Sequence, residues 1–170
     1  MLIAFCCISQ SAVSQKSAIT GAVRVVVAGT SHGHSAWILN KAKNDEMEIV
    51  GIYEPDKKLA ERNALKYHLD PSLFYNDLNK VLDLKKPEAV LAFGSIKEHL
   101  YVVQVAAPKG IHIMVEKPLG VSLKDAELMK SIAEKNKVLL LTNFETSWYP
   151  STFETFRMLK DSIMLDKSEK

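Results

Sequence analysis

The segment Gly29-Thr30-Ser31-His32-Gly33-His34 separates an apolar run from an amphipathic stretch. A turn of this kind can aim backbone N–H groups and the start of a helix at a phosphate, because the helix dipole favours negative charge there. The glycine fingerprint of dinucleotide-binding turns would put glycines at 29, 31 and 34, whereas this chain has Gly29, Ser31 and His34, with a further glycine at 33. Ser31 is small and offers a hydroxyl. His34 stands where helix and strand normally approach each other across a glycine. On these residues alone, an ordinary αβ turn is an equal reading. Glu54 lies 25 residues beyond Gly29, directly after Ile52-Tyr53. A carboxylate at that strand end can accept hydrogen bonds from both hydroxyls of an adenosine ribose and repels a 2′-phosphate, which favours NAD over NADP. Lys57 and Lys58 follow closely and leave that preference open, with solvated residues of a first helical turn as their simpler reading.

These residues need a scaffold, and the chain from Gly21 onward supplies one by alternating short β-branched runs with amphipathic stretches. Strands are predicted at Val23 to Ala28, Met47 to Tyr53, Ala89 to Phe93, Ile111 to Val115 and Val138 to Leu141, with a short one at Leu73 to Tyr75. Their near-continuous apolarity means burial on both faces, as in a parallel sheet covered by helices on either side. Helices are predicted at His34 to Lys43, Asp56 to Tyr67, Asp77 to Leu84, Lys97 to Ala107, Ser122 to Asn136 and Ser151 to Lys160. The fifth has the clearest signals: Ser122 can cap it with Asp125 three residues on, and Leu128, Met129, Ile132 and Ala133 recur at helical spacing. The predicted class is α/β with a doubly wound, mostly parallel sheet.

Composition narrows the function classes. The 170 residues are 47% hydrophobic and 25% charged, and 22 Lys and Arg against 20 Asp and Glu leave a net charge of +2. A chain of this size buries roughly 70% of its unfolded surface, so it can build a core without staples. Both charge signs are interspersed, and no basic arm points to nucleic acid. Met1 to Ile8 is almost wholly apolar and Ser9 to Ser17 is small and polar, the order of a signal-peptide h-region and c-region, with Ala12-Val13-Ser14 suited to cleavage. No Lys or Arg precedes the apolar run, and a frayed tail is the alternative. The expectation is an exported, periplasm-like location over a cytoplasmic one. The run is too short for a ~20-residue membrane span, so no permanent anchor is expected. Cys6 and Cys7, the only cysteines, fall in this segment, which leaves the folded domain without a disulfide framework or thiolate metal site. No metal site is read elsewhere: His32 and His34 stand two apart in a turn with no nearby acidic or thiol partner set.

The most specific block runs from Gly94-Ser95-Ile96-Lys97-Glu98-His99, through Val105-Ala106-Ala107, Gly110 and Ile111-His112-Ile113-Met114-Val115, to Glu116-Lys117-Pro118. In this order and spacing the chain resembles the Gfo/Idh/MocA oxidoreductases, the family of glucose–fructose oxidoreductase and inositol dehydrogenase, from about Val23 to Pro150. A subset of that family carries an HGH-type turn like Ser31-His32-Gly33-His34. The resemblance implies a Rossmann-type fold, NAD as cofactor with NADP less favoured, and hydride transfer between a sugar or polyol hydroxyl carbon and the nicotinamide. It implies that Lys117 is catalytic, beside the nicotinamide and the substrate hydroxyl, as donor or proton-relay member. An ammonium there stabilises alkoxide character as hydride leaves the carbon. Cofactor contacts are implied for Gly29, Thr30, Ser31, His32, Gly33, His34, Glu54, Phe93, Gly94, Ser95, Glu116 and Pro118, with a cis bond before Pro118. His99 has two readings, a contact on the nicotinamide side or a helix residue packed near the sheet edge. His112 reads as a core or edge histidine. Trp148 and Tyr149 suit the C–H face of a sugar, or the packing of a crossover helix.

Family members follow the nucleotide domain with a second α/β domain that walls the substrate site and makes the subunit contact. The expected organisation here is a leader over 1–20, a nucleotide-binding domain over 21–150, and the start of a crossover helix with a polar tail over 151–170, without that second domain. Nucleotide binding without catalysis, or an inactive fragment, is the alternative to an active oxidoreductase. Oligomerisation is left open.

Overall fold

The computed structural model describes residues 21–42 and 46–166. The leader at 1–20, with Cys6 and Cys7, and the tail end at 167–170 lie outside these residues. In chain order the elements are β1 (Val23–Ala28), α1 (Ser35–Leu39), β2 (Met47–Tyr53), α2 (Lys57–Lys66), β3 (Phe74–Tyr75), α3 (Leu78–Lys85), β4 (Ala89–Ala92), α4 (His99–Ala106), β5 (His112–Glu116), α5 (Leu123–Asn136), β6 (Leu140–Asn143) and α6 (Pro150–Asp166). The strands form one six-stranded sheet in the order β3-β2-β1-β4-β5-β6, with every neighbouring pair parallel. This is the doubly wound arrangement expected from the alternating pattern.

Burial on both faces explains the unbroken valines of β1. Val26 and Ala28 pack into a cluster with α3, α4 and α5, while Val25 and Val27 pack on the opposite face with Leu39 of α1 and Ile49 and Ile52 of β2. Val26 and Val27 are fully buried, and each such side chain contributes roughly 1.5–3 kcal/mol of hydrophobic stabilisation. The helices start where short polar side chains can satisfy free N–H groups. Asp56 accepts from Lys58 and Leu59, Asp77 from Lys80 and Ser122 from Asp125, each cap contributing about 1 kcal/mol.

Two predicted elements are displaced. The helix expected over His34 to Lys43 is the five-residue α1, Ser35–Leu39. Leu39 is its last buried side chain, after which the N–H of Lys41 bonds back to Ile38 and the carbonyl of Ala42 takes the N–H of Ile49, drawing the chain into β2. The strand expected at Val138 to Leu141 is β6, Leu140–Asn143. Lys137 adopts a left-handed φ of 56°, and the N–H of Val138 bonds to the carbonyl of Ala133. Val138 therefore closes the end of α5, and its apolar side chain serves the core from there. The helix predicted from Ser151 to Lys160 starts at Pro150 and reaches Asp166. No helix among the described residues is long and apolar enough to cross a membrane.

Candidate functional site

The strand order reverses between β1 and β4, so the chain leaves these neighbours toward opposite faces and opens a crevice at their C-terminal ends. Gly29 follows β1 and Gly94 follows the end of β4. Gly29 has φ +75°, and a Cβ added to it would lie 2.5 Å from Gly94 Cα. Glycine is thus required at 29 by both backbone conformation and space. The N–H of Phe93 donates to the carbonyl of Ala28 and the N–H of His32 to the carbonyl of Phe93, both at 2.9 Å, so the turn is clamped to the end of β4. Phe93 is buried in the core. Gly33 has open space around its Cβ position, so packing does not demand the glycine that lies outside the fingerprint.

Glu54 ends β2 and is nearly fully buried. Its Oε2 accepts from the N–H of Thr30 at 2.9 Å and from the Thr30 hydroxyl at 2.6 Å, and its Oε1 accepts from the N–H of Asp56 at 3.1 Å. Asn63 of α2 donates to Thr30 Oγ1 at 2.9 Å. A carboxylate has about four acceptor positions, which bears on the expectation that Glu54 serves both ribose hydroxyls. Three positions are taken by the protein and one, on Oε1, is left. Beside it lies a cavity of about 520 Å³ bounded by Glu54, Pro55, Phe74 and Tyr75, large enough for a planar heterocycle.

Across the crevice, Glu116 ends β5 and is 1% exposed. Its Oε1 lies 3.1 Å from Nδ1 of His34 and accepts from the amide of Asn143 at 2.6 Å. Its Oε2 accepts from the N–H of Lys117 at 3.3 Å. Nε2 of His34 lies 3.5 Å from Oε2 of Glu145, and its ring stacks on Trp37 and meets His32 edge-on. His34 therefore does not bring helix and strand together as a glycine would. Its ring turns into the crevice, between two carboxylates. The expectation that His32 and His34 have no acidic neighbour is corrected with it. One ligand atom from each of His32, His34 and Glu116 lies within 4.8 Å of the others. Asn143 and Glu145 carried no assigned role in the sequence. Glu116 and Asn143 pair at the ends of β5 and β6, a relationship between strands that no local signal in the sequence carries.

Lys117 and Pro118 are exposed at the crevice rim, and the bond between them is cis. The ammonium of Lys117 makes no hydrogen bond or ion pair among the described residues. The N–H and hydroxyl of Ser95 are both engaged by Glu98 Oε2, at 2.6 and 2.7 Å. His99 is fully buried at the start of α4, and its Nδ1 donates to the carbonyl of Leu119 at 3.1 Å. That favours the packing reading over a nicotinamide contact. Its Nε2 has no partner among the described residues, and burial pushes its pKa below the usual histidine value. His112 is exposed at the start of β5, and its Nδ1 accepts from the N–H of Leu139, so it is a hydrogen-bonded histidine outside the core. Tyr149 donates to Glu145 and borders a cavity of about 440 Å³ with Trp37, Phe93, Met114 and Asn143. The side chain of Trp148 lies outside the described set.

Residues 23–144 match the model of the oxidoreductase family with an NAD-binding Rossmann fold, Gfo/Idh/MocA. The chain belongs to this family. Among Gfo/Idh/MocA relatives, it is 24% identical to D-apiose dehydrogenase of Paraburkholderia graminis, over 71% of this chain and 32% of that protein. It is 27% identical to myo-inositol 2-dehydrogenase of Thermotoga maritima, over 58% of this chain and 28% of that protein. The chain thus matches about a third of the length of these curated relatives. An inositol dehydrogenase homolog from Azotobacter vinelandii, solved with NAD⁺, superposes with a TM-score of 0.70 at 17% identity, covering 85% of this chain and 39% of that one. An oxidoreductase from Sinorhizobium meliloti gives 0.70 at 22% identity, covering 82% and 41%. These superpositions establish the shared Rossmann architecture.

Proposed function

We propose that this Gfo/Idh/MocA chain binds NAD(H) across the β1/β4 crevice, as the nucleotide-binding domain of an oxidoreductase acting on a CH–OH group of a sugar or polyol. The observation that carries this reading is the contact of Gly29 with Gly94. It lets two strand ends approach without side chains at the switch point where dinucleotides bind open α/β sheets. The relatives named for apiose and inositol support the substrate class.

Glu54 lies on the adenosine side of this crevice. Its one remaining acceptor position suits a single ribose hydroxyl, and its charge opposes a 2′-phosphate. Of the Gly29 to His34 turn, the N–H groups of Ser31 and Gly33 are left, among the described residues, for a pyrophosphate, those of Gly29, Thr30, His32 and His34 being bonded within the protein. On the other side, Lys117 stands free at the rim. A bound nicotinamide would supply the hydride acceptor. As hydride leaves the substrate carbon, the Lys117 ammonium stabilises negative charge developing on the hydroxyl oxygen, and its exposure gives the released proton a route to solvent. A second reading, nucleotide binding without turnover, is favoured by the His34 ring in the place of the third fingerprint glycine.

Titration calorimetry with NAD⁺ and NADP⁺, on the chain and on Glu54→Ala, tests the cofactor assignment. NAD⁺ is expected to bind the unsubstituted chain more tightly. Glu54→Ala is expected to lose about tenfold or more in NAD⁺ affinity, the cost of a charged hydrogen bond, and to narrow the gap to NADP⁺. Equal affinities in the unsubstituted chain, or none at millimolar concentration, would overturn it.

A further inference from the structure

We propose that His32, His34 and Glu116 form a binding site for a divalent transition-metal ion of the zinc type on the floor of the crevice. The proposal concerns the protein without nucleotide and does not rest on the NAD reading.

Two imidazoles and one carboxylate are a ligand set that zinc accepts, usually in tetrahedral coordination with N and O donors at about 2.0–2.2 Å. Imidazole donors select borderline ions over magnesium or calcium, which prefer oxygen. The three donor atoms already lie within 4.8 Å of one another. Donors at about 2.0–2.2 Å from a tetrahedral ion stand roughly 3.3–3.6 Å apart, so the three side chains must draw together to close on one ion. Glu116 is buried, so its carboxylate is held in place. His34 is 21% exposed and His32 is half-buried, which leaves the remaining coordination position open toward the crevice.

The surroundings match what orients metal ligands elsewhere. The amide of Asn143 donates to Glu116 Oε1 at 2.6 Å, and the carboxylate of Glu145 lies 3.5 Å from Nε2 of His34. Ligating carboxylates and imidazoles are typically anchored by such outer hydrogen bonds and carboxylates. The departure from the glycine fingerprint gains a reason as well. The residue that replaces the third fingerprint glycine is one of the ligands, and a glycine, which packing does not require, separates it from another.

The test uses the full chain carrying Cys6→Ser and Cys7→Ser, so that thiolates near the N-terminus do not bind the metal. After chelator treatment it is titrated with Zn²⁺ against a chromophoric competitor, and with Co²⁺ followed by visible absorption. One equivalent of Zn²⁺ is expected to bind, with affinity falling at least 100-fold in His32→Ala, His34→Ala and Glu116→Gln. Asn143→Ala is expected to weaken it by about 10- to 100-fold, as outer hydrogen bonds do. Co²⁺ is expected to give the intense absorption of a four-coordinate site, lost in His32→Ala. Because His32 is half-buried, its replacement leaves a folded protein even if Glu116→Gln does not. Absence of stoichiometric binding, or binding that survives in the His32→Ala, His34→Ala double variant, would overturn the proposal. NAD⁺ affinity measured with chelator present separates its failure from that of the nucleotide reading.

Discussion

Nδ1 of His34 and Oε1 of Glu116 meet at 3.1 Å although 82 residues separate them in sequence. The contact joins the turn after β1 to the end of β5 and closes one side of the crevice with protein groups. Glu116 is 1% exposed, and a buried carboxylate is tolerable only while its oxygens have donors.

Asn143→Ala removes one of those donors without touching His34. The resulting under-bonded carboxylate is expected to cost about 1–3 kcal/mol. A lower urea midpoint with an unchanged slope would show it, whereas an unchanged midpoint would mean that the Asn143 bond carries no net stability.

The two glycines of the turn should respond oppositely to a methyl group. Gly29→Ala forces a Cβ to 2.5 Å from Gly94 Cα at φ +75°, and is expected to destabilise by more than about 1 kcal/mol and to abolish nucleotide binding. Gly33→Ala meets nothing within 4 Å. It is expected to be neutral or to stabilise by up to about 1 kcal/mol, as read by thermal unfolding of both variants side by side.

His99 gives the fold a pH dependence. The carbonyl of Leu119 can only accept, so Nδ1 carries the proton and buried Nε2 is bare. Desolvation lowers the folded pKa below 6.5, against smaller opposing effects of the Leu119 bond, Glu116 and Glu98. At pH values below about 6.5 the unfolded chain therefore takes up a proton that the folded chain resists. The contribution is fully present above that pH and is lost as pH falls through the window beneath it. Urea midpoints between pH 7.5 and 5 should decline, and His99→Leu should flatten the decline.

Lys117 is expected to separate binding from chemistry. Lys117→Ala should leave NAD⁺ affinity within about threefold while lowering any hydride transfer with sugars or polyols by about 10²- to 10⁴-fold, the range for a positioned proton-transfer group. A comparable loss in both would make Lys117 a binding residue only.

Much of this was legible in the residues. β1 and β2 fall where their near-continuous apolar runs predict, because burial on both faces leaves a distinctive signature. Asp56, Asp77 and Ser122 announce their helices by capping chemistry that is local in sequence. Val138 misleads because an apolar residue closing a helix looks the same in sequence as the first residue of a strand. The chemistry that was missed is non-local. Nothing near His34 in the chain signals Glu116 or Glu145, and nothing near Glu54 signals that Thr30 and Asp56 occupy most of its acceptor capacity. Those contacts exist only once the parallel sheet brings its C-terminal strand ends to one edge.

The central claim is that NAD⁺ occupies the β1/β4 crevice. An NMR titration of the ¹⁵N-labelled chain with NAD⁺ tests it most directly. Amide shifts that saturate together at Gly29 to His34, Gly94, Glu116 and Lys117, with Asp56 moving as Glu54 engages the ribose, are the expected result. No saturable shift at millimolar NAD⁺, or shifts confined to residues away from this edge, would contradict it.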